Sequence, residues 1–229
     1  TYIAAENSKL LLIPEQSFTG LIESNPECAT RFISGVLSRT IKQLRKSSGF
    51  LADIVQWGEN ASRRVITDEL TGIYNRAFLD DALENFFNIS KSNSKPLSLL
   101  MLDVDSCRKI NETIDLEAGN QIICEFAVII KNVISKQGIA ARYGGDEFSV
   151  LLPETNLDQA TAIAEQIRRD VERYDFSKYL HGRDIKVTVS VGVSSYPETA
   201  EDLVSFKEKA DKSLYLAKES GRNRVAHVK

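Results

Sequence analysis

Hydrophobic and polar positions change their period several times along the chain, and each change marks an element. Tyr2-Ile3-Ala4-Ala5 and Leu10-Leu11-Leu12-Ile13 read as strand-like apolar runs, the second stopped by Pro14. Gln16 to Ser24 carries Phe18, Leu21 and Ile22 on one helical face. Asn25-Pro26 ends that helix and opens another, because proline suits a helix first turn. From residue 27 to 66 the spacing is helical and long: Leu37, Ile41, Leu44, Ser48, Leu51, Val55, Gly58, Ser62 and Val65 step by four and three. That seam predicts a two-stranded coiled coil, and about 40 residues at ~1.5 Å each make a stalk of roughly 60 Å. Ser48, Gly58 and Ser62 interrupt the seam, which suits either a helix packed on its own domain or a stalk that changes register.

A second domain begins at Thr67. Gly72 offers a helix stop and Asn75 a new helix start. The pattern then predicts helix 75–90, strand 97–104, helices near 106–114 and 117–135, a hairpin over 139–152, helix 156–173, strand 185–195, helix 200–219 and strand 223–228. Helices and strands alternate without a strict βαβ rhythm. An α/β (α+β) domain with a mostly antiparallel central sheet and surrounding helices follows. The expected organisation is residues 1–25, a stalk over 26–66 and a second domain over 67–229.

Composition narrows the function classes. The 229 residues are 42% hydrophobic and 27% charged, enough for one good core and further elements. A net charge of −3 gives no global reason to bind nucleic acid or an anionic membrane, so any phosphate binding must be local. Cys28, Cys107 and Cys124 are odd in number and lack metal-ligand spacing, which fits a reducing compartment and a cytoplasmic protein. No apolar run approaches the roughly 20 residues that cross a bilayer, and no signal peptide opens the chain.

Three stretches carry chemistry. Arg142-Tyr143-Gly144-Gly145-Asp146-Glu147-Phe148 sits between two apolar runs and reads as a hairpin with Gly144-Gly145 at its tip, where a backbone or a ligand approaches closely. Its carboxylate pair can hold a divalent cation; an ordinary glycine turn with solvated acids is the bland alternative. Leu97-Ser98-Leu99-Leu100-Met101-Leu102 is a buried strand ending in Asp103-Val104-Asp105, and acids there are costly unless paired with a cation or used to cap the next helix. Ser106-Cys107-Arg108 opens a helix directly after them, and its free N–H groups suit phosphates. Ala217-Lys218-Glu219-Ser220-Gly221-Arg222-Asn223-Arg224 is a basic helix end, ordinary by itself as a partner of its own dipole.

The string Arg142 to Phe148 resembles the signature of the GGDEF-type diguanylate cyclases. Asp68-Glu69-Leu70-Thr71-Gly72-Ile73-Tyr74-Asn75-Arg76 resembles that family's opening D-x-L-T-G-L-x-N-R, and Ala217 to Arg224 its closing segment, so the likeness runs from about Asp68 to Val225. The resemblance implies a palm-like nucleotide-cyclase fold and the conversion of two GTP into cyclic di-GMP and two pyrophosphates, across a homodimer of catalytic domains. It implies Mg²⁺ (or Mn²⁺) held by Asp103, the carbonyl of Val104 and Asp146. Asp146 would also help deprotonate the attacking hydroxyl, with Glu147 and Asp105 supporting that shell. Ser106, Cys107, Arg108, Lys218 and Arg222 would hold the triphosphate, Arg108 standing where the family commonly has lysine. The order of strand, short helix, Asn-Pro and long helix before residue 66 resembles the C-terminal edge of a cyclic-nucleotide-binding domain of the catabolite activator type. Its phosphate cassette is absent here, which suggests a fragment of a larger protein with an upstream sensory domain.

Two departures bear on specificity and feedback. Asn111 in Ile110-Asn111-Glu112 matches the family's I-N-D and can contact guanine, but Asp115-Leu116-Glu117-Ala118-Gly119-Asn120 replaces the usual G-H-x-x-G-D. Leu116 cannot hydrogen-bond, and Asn120 offers one acceptor and one donor where an aspartate accepts from both guanine N1–H and N2–H. A relaxed cyclase making cyclic GMP-AMP, or a degenerate GTP-binding module, are the alternatives. Ser135-Lys136-Gln137-Gly138 occupies the position of the family's R-x-x-D product-binding motif, so product inhibition there is not expected.

Overall fold

The computed structural model describes residues 14–42, 66–135 and 137–228, and the chain divides into two compact units, Thr1–Ala61 and Ser62–Lys229. The strand predicted before Pro14 and the seam positions from Leu44 to Val65 lie outside the described residues. In the first unit α1 (Glu15–Ser24) ends at Asn25, whose side chain accepts from Cys28 N at 3.1 Å and so caps α2, helical over residues 26–42. The Phe18 and Phe32 rings, 5.7 Å apart, pair the two helices, while Leu37 and Ile41 of the predicted seam are 57% and 42% exposed.

The second unit is built on β2 (Leu97–Asp105), in which every residue is buried. Its neighbours β4 (Glu147–Pro153) and β5 (Thr188–Tyr196) are both antiparallel to it, and β3 (Ile139–Gly144) is antiparallel to β4. Two short edges are parallel: β1 (Tyr74–Asn75) on β3 and β6 (Val225–His227) on β5. The order is β1-β3-β4-β2-β5-β6, a mostly antiparallel sheet as the pattern predicts. Among the described residues no helix is long and apolar enough to cross a membrane.

Alternation along β2 distributes the core. Leu100, Leu102 and Val104 pack with Ile122, Phe126 and Ile130 of α5 (Leu116–Ile134) and Ile167 of α6 (Leu157–Arg173). Leu97, Leu99 and Met101 pack on the opposite face with Leu79, Leu83 and Phe87 of α3 (Arg76–Asn93) and Phe206 and Leu214 of α7 (Leu203–Glu219). Asp103 and Asp105 share the parity of Leu99 and Met101, so the strand end turns its acids toward the α7 side. Helix starts fall where the sequence offers acceptors: Asn75 receives Phe78 N at 3.0 Å, and Asn156 and Asp202 form capping boxes with Gln159 and Ser205.

Four boundaries differ from expectation. Gly72 (φ +66°) closes a turn through Gly72 N to Asp68 O at 2.9 Å rather than ending a helix. The hairpin turn is Gly145-Asp146, because Gly144 still pairs with Glu147 as the last residue of β3. Residues 185–187 stay outside β5, since Arg183 N and Ile185 N bond back to Leu180 O and Arg183 O in tight local turns. β6 is shorter than predicted because Arg222 and Asn223 both take positive φ.

Candidate active site

The end of β2, the start of α4 (Cys107–Thr113), the hairpin turn and the C-terminus of α7 converge on a cleft of about 400 Å³. It is lined by Asp103, Val104, Asp105, Ser106, Cys107, Arg108, Lys109, Glu112, Asp146, Lys218 and Arg222. A separate hollow of about 520 Å³ beside Ile73, Ile134 and Ala140 has, among the described residues, Lys131 as its charged lining residue and no acid, so these residues do not supply the groups that phosphoryl chemistry needs.

The two acids of Asp103-Val104-Asp105 have different environments. Asp105 is 3% exposed and fully engaged: Thr188 Oγ1 and Ser190 Oγ donate to it at 2.7 and 2.8 Å, and Asn223 N at 3.1 Å. It anchors neighbouring strands. Asp103 meets the Lys218 ammonium at 2.7 Å. Burial pushes its carboxyl up to about 6; Lys218 opposes the shift, and the Asp146 and Glu147 charges add to it. A carboxylate in that state gains from a further cation. Two carboxylates beside the Val104 carbonyl match the sparse protein donor set of a divalent ion that also takes phosphate oxygens. Among the described residues no group of three or more His, Cys, Asp or Glu side chains is placed to hold a metal alone.

The hairpin is fixed on both sides. Val104 N donates to Asp146 O at 3.2 Å, and Glu147 stands directly across from Asp103. Arg142 donates to Gly145 O through Nε and Nη2 at 2.9 and 2.8 Å and to both Asp68 oxygens at 3.2 Å. Burial raises the Asp68 carboxyl, but bonds from Thr71 and Arg142 outweigh it and hold the group below its usual range. The turn after residue 66 and the β3–β4 hairpin are thus tied by one guanidinium. At α4, Ser106 is left-handed (φ 68°), no side chain caps the helix, and the first helical bond is Ile110 N to Ser106 O at 3.0 Å. The amides of Ser106, Cys107, Arg108 and Lys109 therefore precede that bond, and all four residues line the cleft. Burial and the Asp146 and Asp103 charges push the Cys107 thiol up to about 11, so it stays protonated.

The diguanylate cyclase GGDEF-domain model matches residues 65–224. The chain belongs to that family. Diguanylate cyclase A of Treponema denticola is 44% identical over 145 residues, 62% of this chain and 38% of that protein. Response regulator PleD of Caulobacter vibrioides is 36% identical over 161 residues, 70% of this chain and 35% of that protein. The chain thus spans little more than a third of the length of these curated relatives. A crystal structure of the coiled coil and GGDEF domain of DgcB from Caulobacter crescentus, in complex with c-di-GMP, has a TM-score of 0.72 at 28% identity, covering 82% of this chain and 99% of that one.

Within this GGDEF domain the cleft gathers Asp103, Val104, Asp146, Ser106, Cys107, Arg108, Lys218 and Arg222. Arg108 is 90% exposed and paired with Glu112 at 2.8 Å. Glu147, Gly144 and Gly145 flank the cleft without lining it. The three base-reading candidates also lie outside its lining. Asn111 Oδ1 is buried without a partner against Gly119, Leu116 is 66% exposed, and Asn120 is half-buried on α5. Sequence reasoning did not find the Asp68 to Arg142 link, although both residues lie in quoted family segments. Nor did it find the bonds joining Asn223 to α6, 55 or 51 positions away, which no local spacing signals.

Proposed function

We propose that the domain from residue 67 onward is a diguanylate cyclase that condenses two GTP into cyclic di-GMP and two pyrophosphates, each of two chains contributing one GTP. The observation carrying this reading is the meeting of Asp103, Asp146, Lys218 and Arg222 in one cleft of a GGDEF-family domain. Lys218, Arg222 and the amides of Ser106, Cys107 and Arg108 bind the triphosphate and neutralise charge as pyrophosphate leaves. Asp146 orients the 3′-hydroxyl and takes its proton while the 3′-oxygen attacks the α-phosphorus and the bond to the β-phosphate breaks. Asp103, the Val104 carbonyl and Asp146 would hold Mg²⁺ or Mn²⁺, which supplies charge neutralisation at the phosphates and acidifies the hydroxyl. Incubation with GTP and Mg²⁺ tests this: two pyrophosphates per cyclic di-GMP are expected, and GTP binding without pyrophosphate release would leave a degenerate module instead.

A second reading concerns the base. Asn120 in place of an aspartate and the apolar, exposed Leu116 favour weakened guanine discrimination and some cyclic GMP-AMP product. Product analysis with GTP and ATP together decides it, and an exclusive guanine dinucleotide removes the idea. Feedback through residues 135–138 is not expected, and an Asp at 138 would be crowded, since a Cβ on Gly138 meets Leu151 O at 2.8 Å. Tight cyclic di-GMP binding lost on changes at 135–138 would contradict this. Residues 26–66 serve as a dimeric control stalk, and residues 1–25 as the edge of a cyclic-nucleotide-binding-like domain. Turnover of a chain extended upstream, unmoved by either cyclic AMP or cyclic GMP, would rule out the latter. The three free thiols fit the cytoplasm.

A further inference from the structure

The turn that returns α7 to β6 has an unusual backbone. Gly221, Arg222 and Asn223 all have positive φ, at 111°, 58° and 47°. Two consecutive non-glycine residues in that region persist only where their surroundings over-determine them. Asparagine tolerates the left-handed form better than most, which suits it to the second position. Here the surroundings are explicit. Asn223 N donates to Asp105 Oδ2 at 3.1 Å, its Nδ2 donates to Glu172 Oε1 at 2.9 Å, and its Oδ1 accepts from Arg168 Nη1 at 3.0 Å. Arg168 and Glu172 are themselves fixed: Arg168 bonds Glu172 at 2.8 Å and Glu165 at 2.9 Å, and Lys186 bonds Glu172 at 2.7 Å.

Asn223 does not line the cleft, whereas its neighbour Arg222 does, beside Asp103 and Lys218. The Arg222 side chain is exposed and has no ion-pair partner among the described residues, so the point from which it can reach the cleft is set by its backbone. That backbone is held by Arg222 N to Ala217 O at 3.0 Å, by Arg224 Nε to Arg222 O at 3.1 Å and by the bonds to Asn223. We infer that Asn223, clamped by Arg168 and Glu172 of α6 and by Asp105 of β2, is a positioning residue for the substrate triphosphate. It holds the turn in the left-handed form that presents Arg222 to the cleft. This rests on the cyclase reading, and it extends the phosphate grip to a layer of α6 that touches no substrate.

The test uses the whole chain with Mg²⁺ and two probes: 3′-deoxy-GTP, which lacks the attacking hydroxyl and so binds without reacting, and GMP, which lacks the β- and γ-phosphates. Asn223→Gly permits the turn but removes the side-chain clamp. It is expected to weaken 3′-deoxy-GTP binding about tenfold, to leave GMP binding unchanged, and to have no further effect in an Arg222→Ala background. Equal losses for both probes, or losses that add in the Arg222→Ala background, overturn the inference, because a merely structural role gives that pattern. Should Asn223→Gly not fold, Asn223→Asp takes its place with the same readouts; it keeps the acceptor for Arg168 but sets a carboxylate against Glu172. An unmutated chain that binds 3′-deoxy-GTP no better than GMP overturns the triphosphate reading and this inference together. Normal discrimination with additive losses overturns this inference alone.

Discussion

Under the cyclase reading, Lys218 and Asp146 are two charged groups in one cleft with separable roles. Lys218 pairs with Asp103 at 2.7 Å and, in the proposed reaction, would balance the charge of bound phosphate, whereas Asp146, on the hairpin turn, would take the proton of the hydroxyl. Lys218→Met should raise KM for GTP roughly tenfold or more with a smaller change in kcat, and Asp146→Asn should lower kcat by about 10²–10⁴-fold. Steady-state pyrophosphate release separates the two, and equal effects on both constants in both variants would contradict the division. Glu172 gives a pH-dependent counterpart. Lys186, Arg168 and Asn223, in that order, hold its carboxyl at about 2 against an ordinary 4.5. The folded value is depressed, so the stability it contributes is complete above about 4.5 and is lost as pH falls toward 2. The gap in thermal midpoint between the unmutated chain and Glu172→Gln should therefore shrink through that window; a constant gap would show that the carboxylate charge is irrelevant.

At the level of elements, two glycines set how closely helices approach their neighbours. A Cβ on Gly192 of β5 would overlap Leu214 N and Ala210 O of α7 and lie 2.8 Å from Leu214 Cα. Those are backbone atoms, so α7 itself must move. Gly192→Ala is expected to destabilise the domain by about 2–4 kcal/mol and, because α7 carries Lys218, to weaken GTP binding; chemical denaturation and GTP titration check both. Gly119 contrasts with it, since a Cβ there would strike Asn111 Oδ1, the end of a side chain that can turn away. The same contrast explains what the sequence made legible. The apolar run of β2, the existence of the hairpin and the helix starts at Asn75 and Asn156 depend on neighbours within a few residues, and each was readable, whereas the last helix starts after Asp202 rather than at the expected 200. The parallel edges β1 on β3 and β6 on β5, and the Asn223 clamp, depend on residues brought together by the finished sheet. Within the cleft, Asp103, Asp146, Lys218 and Arg222 were readable because each sits in a short recognisable segment. The engagement of Asp105 by Thr188, Ser190 and Asn223 was not, because those donors lie 83 or more positions away.

The proposed product has two phosphodiester bonds, whereas among the described residues the cleft of one chain holds one Asp103, one Asp146 and one Lys218. A cleft of about 400 Å³ with that single set of acids and cations would serve one GTP, half of the proposed product. In the proposed reaction the second hydroxyl is activated by the Asp146 of another chain, which would make pairing part of the chemistry. Mixing the unmutated chain with an equal amount of Asp146→Asn separates this from independent action. Random pairing gives roughly a quarter fully active pairs and a half mixed pairs. In a mixed pair one hydroxyl loses its proton to Asp146 and the other does not, so a single bond forms and the open dinucleotide pppGpG is released. Cyclic di-GMP should fall to about a quarter of the unmutated level while pppGpG accumulates. If each chain completed the product by itself, cyclic di-GMP would fall only to about half and no open dinucleotide would appear.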